Sequence, residues 1–298
     1  MRQQPAQGQR RPARRGGGLR IWVLVLFVGY GAWFWYSNQD VDPVTGGSVL
    51  IDRSLSIEDE KALGLQAYQQ ILEQERWVDP DATISREIRN IAERLVAKVE
   101  VVEAALAAEH GMEPTRFSAG FDWEVNVIDS DQANAFALPG GKMAVYTGLV
   151  PVARNEDAIA VVMGHEIAHA LLRHGAQRMA QQRLSQIGQA AGAFSGMDPQ
   201  QQQMVMAAMG YGYLLPYARK HETEADEVGL MLAAAACFDP HESVPLWERM
   251  GQAGGGQAPP EFASTHPNPG TRIANLQALI PKALEYRERF CEEGPLRN

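Results

Sequence analysis

Residues 155–175 read NEDAIAVVMGHEIAHALLRHG, and the helix that they predict organises the rest of the chain. Asn155 is a favourable helix N-cap, and the two acidic residues that follow it suit the positive end of a helix. Gly175 can close the same helix at its other end. The stretch therefore predicts a helix from about Glu156 to His174.

Within this helix lies the pattern His165-Glu166-x-x-His169. Histidines four residues apart project from one face, so both imidazoles can reach a single metal ion. Glu166 is placed to accept a proton from a water molecule at that metal. Burying these three side chains without partners would cost on the order of several kcal/mol, which favours a metal site over a plain core helix. We expect one zinc ion per chain.

A catalytic zinc needs a third protein ligand, and Glu222 is the best candidate. It opens the run Glu222-Thr-Glu-Ala-Asp226 in a predicted helix from Arg219 to about Ala236. Glu222 and Asp226 lie one turn apart on one face, so Glu222 can bind the metal while Asp226 accepts a hydrogen bond from a ligand histidine. A solvated acidic face is the alternative interpretation of these residues.

Two nearby polar residues are expected to lie outside the site. His174 is five residues beyond His169, about 140° further around a continuous helix, and should face elsewhere. Glu224 lies roughly 200° around the helix from Glu222, which predicts a solvated side chain.

The remaining pattern predicts an α+β fold that is mainly α-helical, with a small sheet beside the active-site helix. Helices are expected over residues 57–75 and 84–108, the first opened by a capping box at Ser56. A strand at 123–128 and a hairpin over 134–146 supply the sheet. Residues 177–217, rich in Gln, Ala, Gly and Met, predict either a mobile lid or an ordinary helical hairpin.

The N-terminus predicts a membrane anchor. Residues 1–20 contain six arginines and no acid, and residues 21–36 contain no charge. A helix over 21–36 would span roughly 24 Å, a little less than the ~30 Å hydrocarbon core. The positive-inside rule places residues 1–20 in the cytoplasm of a single-pass protein in a bacterial inner membrane, with a linker at 37–56 and a catalytic domain at 57–298 in the periplasm. A cleaved signal peptide is the alternative.

The charge and the cysteines limit the remaining choices. The formal net charge is −9 despite the basic N-terminus, which argues against nucleic acid as a partner. Cys237 and Cys291 can form one disulfide or remain two buried thiols. The oligomeric state is not indicated by the sequence.

Four motifs occur in order along residues 57–280, namely Asn134-Ala135-Phe136-Ala137-Leu138-Pro139-Gly140-Gly141, His165-Glu166-x-x-His169, Arg219-x-x-Glu222-x-Glu224-Ala225-Asp226-x-x-Gly229, and Ser264-Thr265-His266-Pro267 with Arg272. Together they resemble the HtpX/CAAX prenyl protease family of zinc metallopeptidases, a gluzincin family, and most closely its BepA/LoiP-like branch with a soluble catalytic domain. The chain lacks the additional hydrophobic spans of HtpX and of the CAAX enzymes, which argues against prenyl-protein processing. It also shows no tetratricopeptide array after the catalytic region, in which it departs from BepA, so the resemblance leaves the substrate open.

The resemblance implies a role for each matching position. His165, His169 and Glu222 would bind zinc, with Glu166 as general base and then acid. The strand at Asn134, Ala135, Phe136 and Ala137 would pair with an extended substrate, with a plain structural hairpin as the alternative. His266 would stabilise the oxyanion or, as a fourth zinc ligand, keep the enzyme latent, with a structural His-Pro turn as the alternative. Arg272 would order this loop or contact the substrate.

The sequence as a whole predicts a membrane-anchored zinc metalloendopeptidase that cleaves misfolded or unassembled envelope proteins. Its partners would be unfolded protein substrates and, through residues 21–36, the lipid bilayer. A zinc-bearing, chaperone-like binding protein with latent proteolysis is the alternative function.

Overall fold

A computed structural model describes residues 20–253 and 269–292. The described chain is mainly helical with two small sheets, in agreement with the predicted fold class. In chain order, the α-helices are α1 (Ile21–Ser37), α2 (Ile57–Gln74), α3 (Thr83–Val96), α4 (Val99–Glu109), α5 (Val150–Ala153), α6 (Glu156–Leu171), α7 (His174–Ser195), α8 (Pro199–Met209), α9 (Leu215–Ala235), α10 (Ser243–Ala253) and α11 (Pro269–Phe290). The strands are β1 (Gln39–Val41), β2 (Ser48–Leu50), β3 (Glu124–Ile128), β4 (Ala135–Leu138) and β5 (Lys142–Tyr146).

The larger sheet has the strand order β3-β5-β4. Strand β5 is central and buried along its whole length, parallel to β3 and antiparallel to β4. The predicted β4–β5 hairpin is confirmed, and its turn has Gly140 at φ 89° and Gly141 at φ 90°. Only glycine adopts such angles without strain, which explains the two glycines there. The topology leaves β4 at the edge of the sheet.

Helix α6 forms the centre of the molecule. Every residue from Ala158 to Leu171 is buried, so the helix packs on all sides rather than along one stripe. As predicted, the Asn155 side chain caps the helix by accepting a hydrogen bond from the backbone N–H of Ala158 at 2.8 Å. The central position of α6 places both histidines of the motif inside the protein.

The predicted end of this helix is wrong. Helix α6 stops at Leu171, Arg173 adopts the left-handed conformation with φ 53°, and α7 starts at His174, so Gly175 is a helix residue rather than a cap. A left-handed arginine carries strain that its surroundings must offset. Its guanidinium pairs with the buried carboxylate of Glu60 and lies 5.0 Å from the centre of the Phe117 ring. These contacts hold the chain at the break.

The predicted helix over 84–108 is instead the pair α3 and α4, separated at Ala97 and Lys98. No glycine or proline marks this break in the sequence. The turn allows Leu95 on α3 and Val99 on α4 to enter one hydrophobic core. Tertiary packing therefore overrides local helix propensity here.

Helix α1 confirms the prediction of an N-terminal helix. It packs against α7, with the rings of Phe27 and Phe194 stacked at 6.1 Å, and its other side exposes large apolar residues such as Trp22 and Tyr36. The proposed transmembrane span is not supported, because no helix within residues 20–253 and 269–292 combines the length and apolar character needed to cross a bilayer. Helix α1 has 17 residues, which is about 25 Å against a core of ~30 Å.

Residues 37–56 and 177–217 contain secondary structure that the sequence analysis left undecided or did not predict. The predicted linker contains the antiparallel pair β1 and β2. Residues 177–217 form a helical hairpin of α7 and α8, which continues through a π-helical turn at Gly210–Leu214 into α9. The hairpin geometry fits the plainer alternative, and a lid function stays a prediction.

The C-terminal helix α11 packs on α9 and is tied to it covalently. Cys237, just beyond α9, forms a disulfide with Cys291, just beyond α11, with 5.0 Å between their Cα atoms. The sequence left this pairing open, and the structure decides it. The bridge fixes the far end of the helix that carries Arg272.

Candidate metal centre

Three predicted ligands meet where α6 packs against α9. The Nε2 atoms of His165 and His169 lie 3.1 Å apart, and each lies 3.5 Å from a carboxylate oxygen of Glu222. All three side chains are buried. Among the described residues, this is the group of histidine, cysteine and acidic side chains whose ligand atoms converge, all within 4.8 Å of one another.

The spacing of these atoms fits zinc. Tetrahedral zinc with bonds of about 2.0–2.2 Å to nitrogen and oxygen requires neighbouring ligand atoms roughly 3.3 Å apart. The observed separations of 3.1 and 3.5 Å bracket that value. Two imidazoles and one carboxylate form a donor set of catalytic zinc, which keeps a fourth position for water or substrate.

Asp226 lies where the sequence placed it, one turn after Glu222 on the same face of α9. Its Oδ1 is 3.0 Å from Nδ1 of His165, the ring nitrogen that faces away from the other ligands. A hydrogen on Nδ1 that is donated to this carboxylate would leave Nε2 as the ligand atom. Burial and the nearby Arg272 oppose protonation, yet the carboxylates of Asp226 and Glu222 raise the pKa of His165 to about 9. The pocket therefore favours a positive charge, as a cation site requires.

Arg272 reaches this pocket from the first turns of α11. Its guanidinium lies 3.2 Å from an Oε of Glu222 and 2.5 Å from Oδ1 of Asp226. The flat face of the group stacks on Trp247, 3.5 Å from the ring centre. In this position the guanidinium neutralises and orients two acids beside the three converging side chains. The predicted contacts of Arg272 with the loop at 264–267 and with the substrate stay predictions. Glu166, buried on α6 next to His165, completes the set of predicted chemical groups.

The structure adds two residues that the sequence interpretation placed elsewhere. His174 is fully buried, and its Nδ1 lies 2.8 Å from Nδ1 of His169. Glu224 is also not solvated, because its side chain is only 12% exposed and its Oε2 lies 3.4 Å from Nε2 of His174. The helical angle used for His174 assumed one continuous helix, and the break at Arg173 turns the side chain back towards His169.

A second imidazole supports His174. The ring of His221 stacks on it at 4.1 Å with an interplanar angle of 17°, and its Nε2 lies 3.0 Å from Oε1 of Gln177. Burial lowers the pKa of His174 well below its usual range and lowers the pKa of His221 to about 3. Both rings are therefore neutral, and this cluster is a stack rather than a group of charges.

The predicted substrate strand corresponds to β4. Ala135 is buried, while Phe136 and Ala137 are half-buried, and β4 pairs with β5 along one side only within the described residues. Asn134, just before the strand, accepts a hydrogen bond from the backbone N–H of Ala135 through its side chain and from that of Tyr146 through its carbonyl. Strand β4 also packs against α6, the helix that carries both histidines. His266 lies outside the described residues.

Two histidines of an HExxH helix beside a small sheet, joined by a glutamate from a second helix, form the arrangement that is typical of metalloproteases. Residues 93–280 match the model of Peptidase family M48, which is more than half of the chain. The chain belongs to this family and is a metalloprotease. The sequence resemblance is thus confirmed at the level of the M48 family, and placement in the HtpX/CAAX group stays a prediction.

Several curated proteins are similar to this chain over more than half of its length. The mitochondrial metalloendopeptidase OMA1 of Saccharomyces cerevisiae is 34% identical over 280 residues, which cover 90% of this chain and 77% of that protein. The human metalloendopeptidase OMA1 is 31% identical over 94% of this chain and 52% of its own length. The beta-barrel assembly-enhancing protease of Escherichia coli is 30% identical over 55% of this chain and 36% of its own.

Proposed function

We propose that this metalloprotease is a zinc endopeptidase that cleaves misfolded or unassembled envelope proteins. The observation that carries the proposal is the convergence of His165, His169 and Glu222 on one point with the spacing of a tetrahedral site. Zinc bound there would acidify a water molecule and polarise the peptide carbonyl. The three side chains would hold the ion, and Asp226 would keep His165 in the ligating tautomer.

Glu166 supplies the proton chemistry. It follows His165 on α6 and lies in the same buried site, next to a ligand rather than among the ligands. We propose that its carboxylate takes the proton from the attacking water and then delivers it to the leaving amine.

His266 would act from the oxyanion side as a hydrogen-bond donor. A His266→Ala variant should then have a lower kcat, whereas a rise in activity would favour the fourth-ligand alternative.

The preference for unfolded chains is supported by β4. An edge strand beside the site can accept an extended peptide through backbone hydrogen bonds, which depend little on side-chain identity. A folded domain presents few extended segments with unpaired backbone groups, so an unfolded one is the better substrate. The name of the E. coli relative, which connects that protease with β-barrel assembly, supports envelope proteins as the substrate class.

For location, we propose attachment to a membrane through α1. This helix exposes Trp22, Trp33 and Tyr36, and the six arginines of residues 1–20 suit anionic lipid headgroups. The predicted topology, with residues 1–20 cytoplasmic and the catalytic domain periplasmic, is part of the proposal. Protease protection of the catalytic domain in spheroplasts with intact membranes would contradict that topology.

The proposed activity is tested with the full-length protein purified in detergent. We expect about one zinc per chain, cleavage of casein, and loss of cleavage after treatment with a chelator. Glu166→Gln should retain zinc and the folded state but lose cleavage, because the amide cannot accept the proton. Full cleavage by this variant would overturn the assignment of Glu166. Suppressed aggregation of an unfolded protein without any cleavage, unchanged in Glu166→Gln, would instead support the chaperone-like alternative.

A further inference from the structure

The second ring nitrogen of His169 has a partner that the proposed mechanism does not use. Its Nε2 faces His165 and Glu222, so its Nδ1 points the other way, to Nδ1 of His174 at 2.8 Å. Two nitrogens this close require one hydrogen between them, with one ring as donor and the other as acceptor. If Nε2 of His169 binds a metal, the hydrogen of this neutral ring must lie on Nδ1. Nδ1 of His174 must then accept the hydrogen bond.

This assignment determines the next contact as well. A neutral His174 that accepts at Nδ1 carries its hydrogen on Nε2. That Nε2 lies 3.4 Å from Oε2 of Glu224, whose other oxygen is 3.3 Å from the ammonium group of Lys220. The contact does not have hydrogen-bond geometry, so the ring and the carboxylate interact electrostatically. A chain of polar contacts therefore leads from His169 through His174 to a carboxylate.

We infer that His174, held in place by the stacked ring of His221, is the positioning residue for the metal ligand His169. The inference rests on the proposed metal site. Each of the two ligand histidines then has a partner at its second ring nitrogen. Asp226 contacts Nδ1 of His165, and the imidazole of His174 contacts Nδ1 of His169. Partners of this kind fix ring orientation and tautomer, and their loss typically weakens metal binding about 10–100-fold.

His174 is well placed for this role because its own ring is fixed. It is fully buried at the first position of α7, immediately after the left-handed Arg173. His221 covers one face of the ring, and Gln177 holds His221 while donating its amide hydrogen to the carbonyl of Leu172 at 2.8 Å. A ring clamped in this way presents its Nδ1 lone pair to His169 in one orientation.

The test compares two substitutions in the full-length protein. His174→Asn places a carbonyl oxygen near the position of Nδ1 and keeps an acceptor, whereas His174→Leu removes it at similar volume. Zinc affinity is measured by competition with a chromophoric chelator, and the ligand geometry is followed by the visible spectrum of the Co²⁺-substituted protein. We expect a loss of zinc affinity of about 10–100-fold and an altered Co²⁺ spectrum for His174→Leu, with His174→Asn within about threefold of wild type. Folded His174→Leu with wild-type affinity, or equally weak binding by both variants, would overturn the inference.

A second measurement needs no variant at this position. In wild-type protein loaded with zinc, long-range ¹H–¹⁵N NMR correlations report which ring nitrogen of each histidine carries the hydrogen. We expect His169 to be protonated on Nδ1 and His174 on Nε2. Protonation of His174 on Nδ1 in the zinc-loaded protein would refute the positioning role of His174 without contradicting the metal site. Wild-type protein that binds no zinc would instead refute the proposed function on which that role rests.

Discussion

Gly164 on α6 and Gly229 on α9 lie face to face where the two ligand-bearing helices cross. A Cβ added to Gly164 would lie 2.7 Å from the carbonyl oxygen of Gly229, and a Cβ added to Gly229 would lie 2.6 Å from the backbone nitrogen of His165. Both distances are far below van der Waals contact, and helix backbone has no free side-chain end that can move aside. The close approach sets the distance between Glu222 and the histidine pair.

Gly229→Ala should therefore weaken zinc binding as well as stability. The added methyl group pushes α9 away from α6, and overpacking of this kind costs roughly 1–3 kcal/mol. Thermal unfolding with and without zinc, together with the zinc dissociation constant, measures both effects. Gly188→Ala on α7 is the matched control, because its Cβ would meet only methionine sulfur atoms at 3.8 Å or more and should be neutral or slightly stabilising. Wild-type zinc affinity in Gly229→Ala would contradict the argument.

Asp226→Ala removes the acceptor from Nδ1 of His165. We expect zinc affinity to fall about 10–100-fold, because the ring then loses its fixed tautomer and orientation. The dissociation constant is measured by competition with a chelator. Glu227→Ala, the adjacent residue on α9, removes a half-exposed carboxylate that pairs with Lys282 at 2.9 Å and should leave zinc binding unchanged. Equal zinc affinities for the two variants would show that the position of Asp226 has no bearing on the metal.

Glu103 predicts a pH dependence of stability. Burial, opposed by the hydrogen bond from Ser118, raises the pKa of this carboxyl from 4.5 to about 7. Between these two pH values the folded protein retains a proton that the unfolded chain has lost. The contribution of Glu103 to the free energy of unfolding is therefore complete below pH 4.5 and is lost as the pH rises through 7. The loss is roughly 3 kcal/mol at most.

Glu103→Gln should remove this dependence, because the amide accepts from Ser118 and carries no charge. Its free energy of unfolding, measured in urea at pH 5 and pH 8, should exceed that of wild type at the higher pH. Glu93→Gln, which changes an exposed acid on α3, is the control and should follow the wild-type profile. A wild-type profile for Glu103→Gln would show that Glu103 is charged in the folded protein throughout this range.

The disulfide should contribute substantially to stability. Cys237 and Cys291 are 54 residues apart, and closing a loop of this size in the unfolded chain corresponds to about 4 kcal/mol in the chain-entropy model. We expect reductant to lower the melting temperature of wild type. Replacing both cysteines by alanine should lower it to a similar extent and abolish the effect of reductant. Two reactive thiols in unfolded, unreduced protein would contradict the pairing.

The convergence of His165, His169 and Glu222 was predictable, because the geometry of these residues is local or is carried by a motif. His165 and His169 share a helix, so their spacing alone places both rings on one face. Glu222 needed its own motif, since no sequence rule brings together two helices 53 residues apart. The Asn155 cap and the glycine turn of the β4–β5 hairpin were also readable, because each depends on a backbone conformation that few residues adopt.

The part of the site that could not be predicted depends on breaks in the helices. Neither Arg173 nor the pair Ala97 and Lys98 resembles a helix terminator, and tertiary contacts stabilise both breaks. The break at Arg173 brings His174 against His169. The sequence analysis assumed one continuous helix and therefore predicted the wrong direction for the His174 side chain. The parallel pairing of β3 with β5 was likewise undetermined, since strand patterns show which face is buried but not which strands pair.

The Cys237–Cys291 bond has a practical consequence for any experiment that follows self-cleavage. A single backbone cut anywhere from Phe238 to Phe290 yields two fragments that remain one covalent molecule. Such a product would migrate near the intact chain on a non-reducing gel and would separate into two bands only after a thiol is added. Cleaved and intact protein are therefore distinguished only when samples are run on gels with and without reductant.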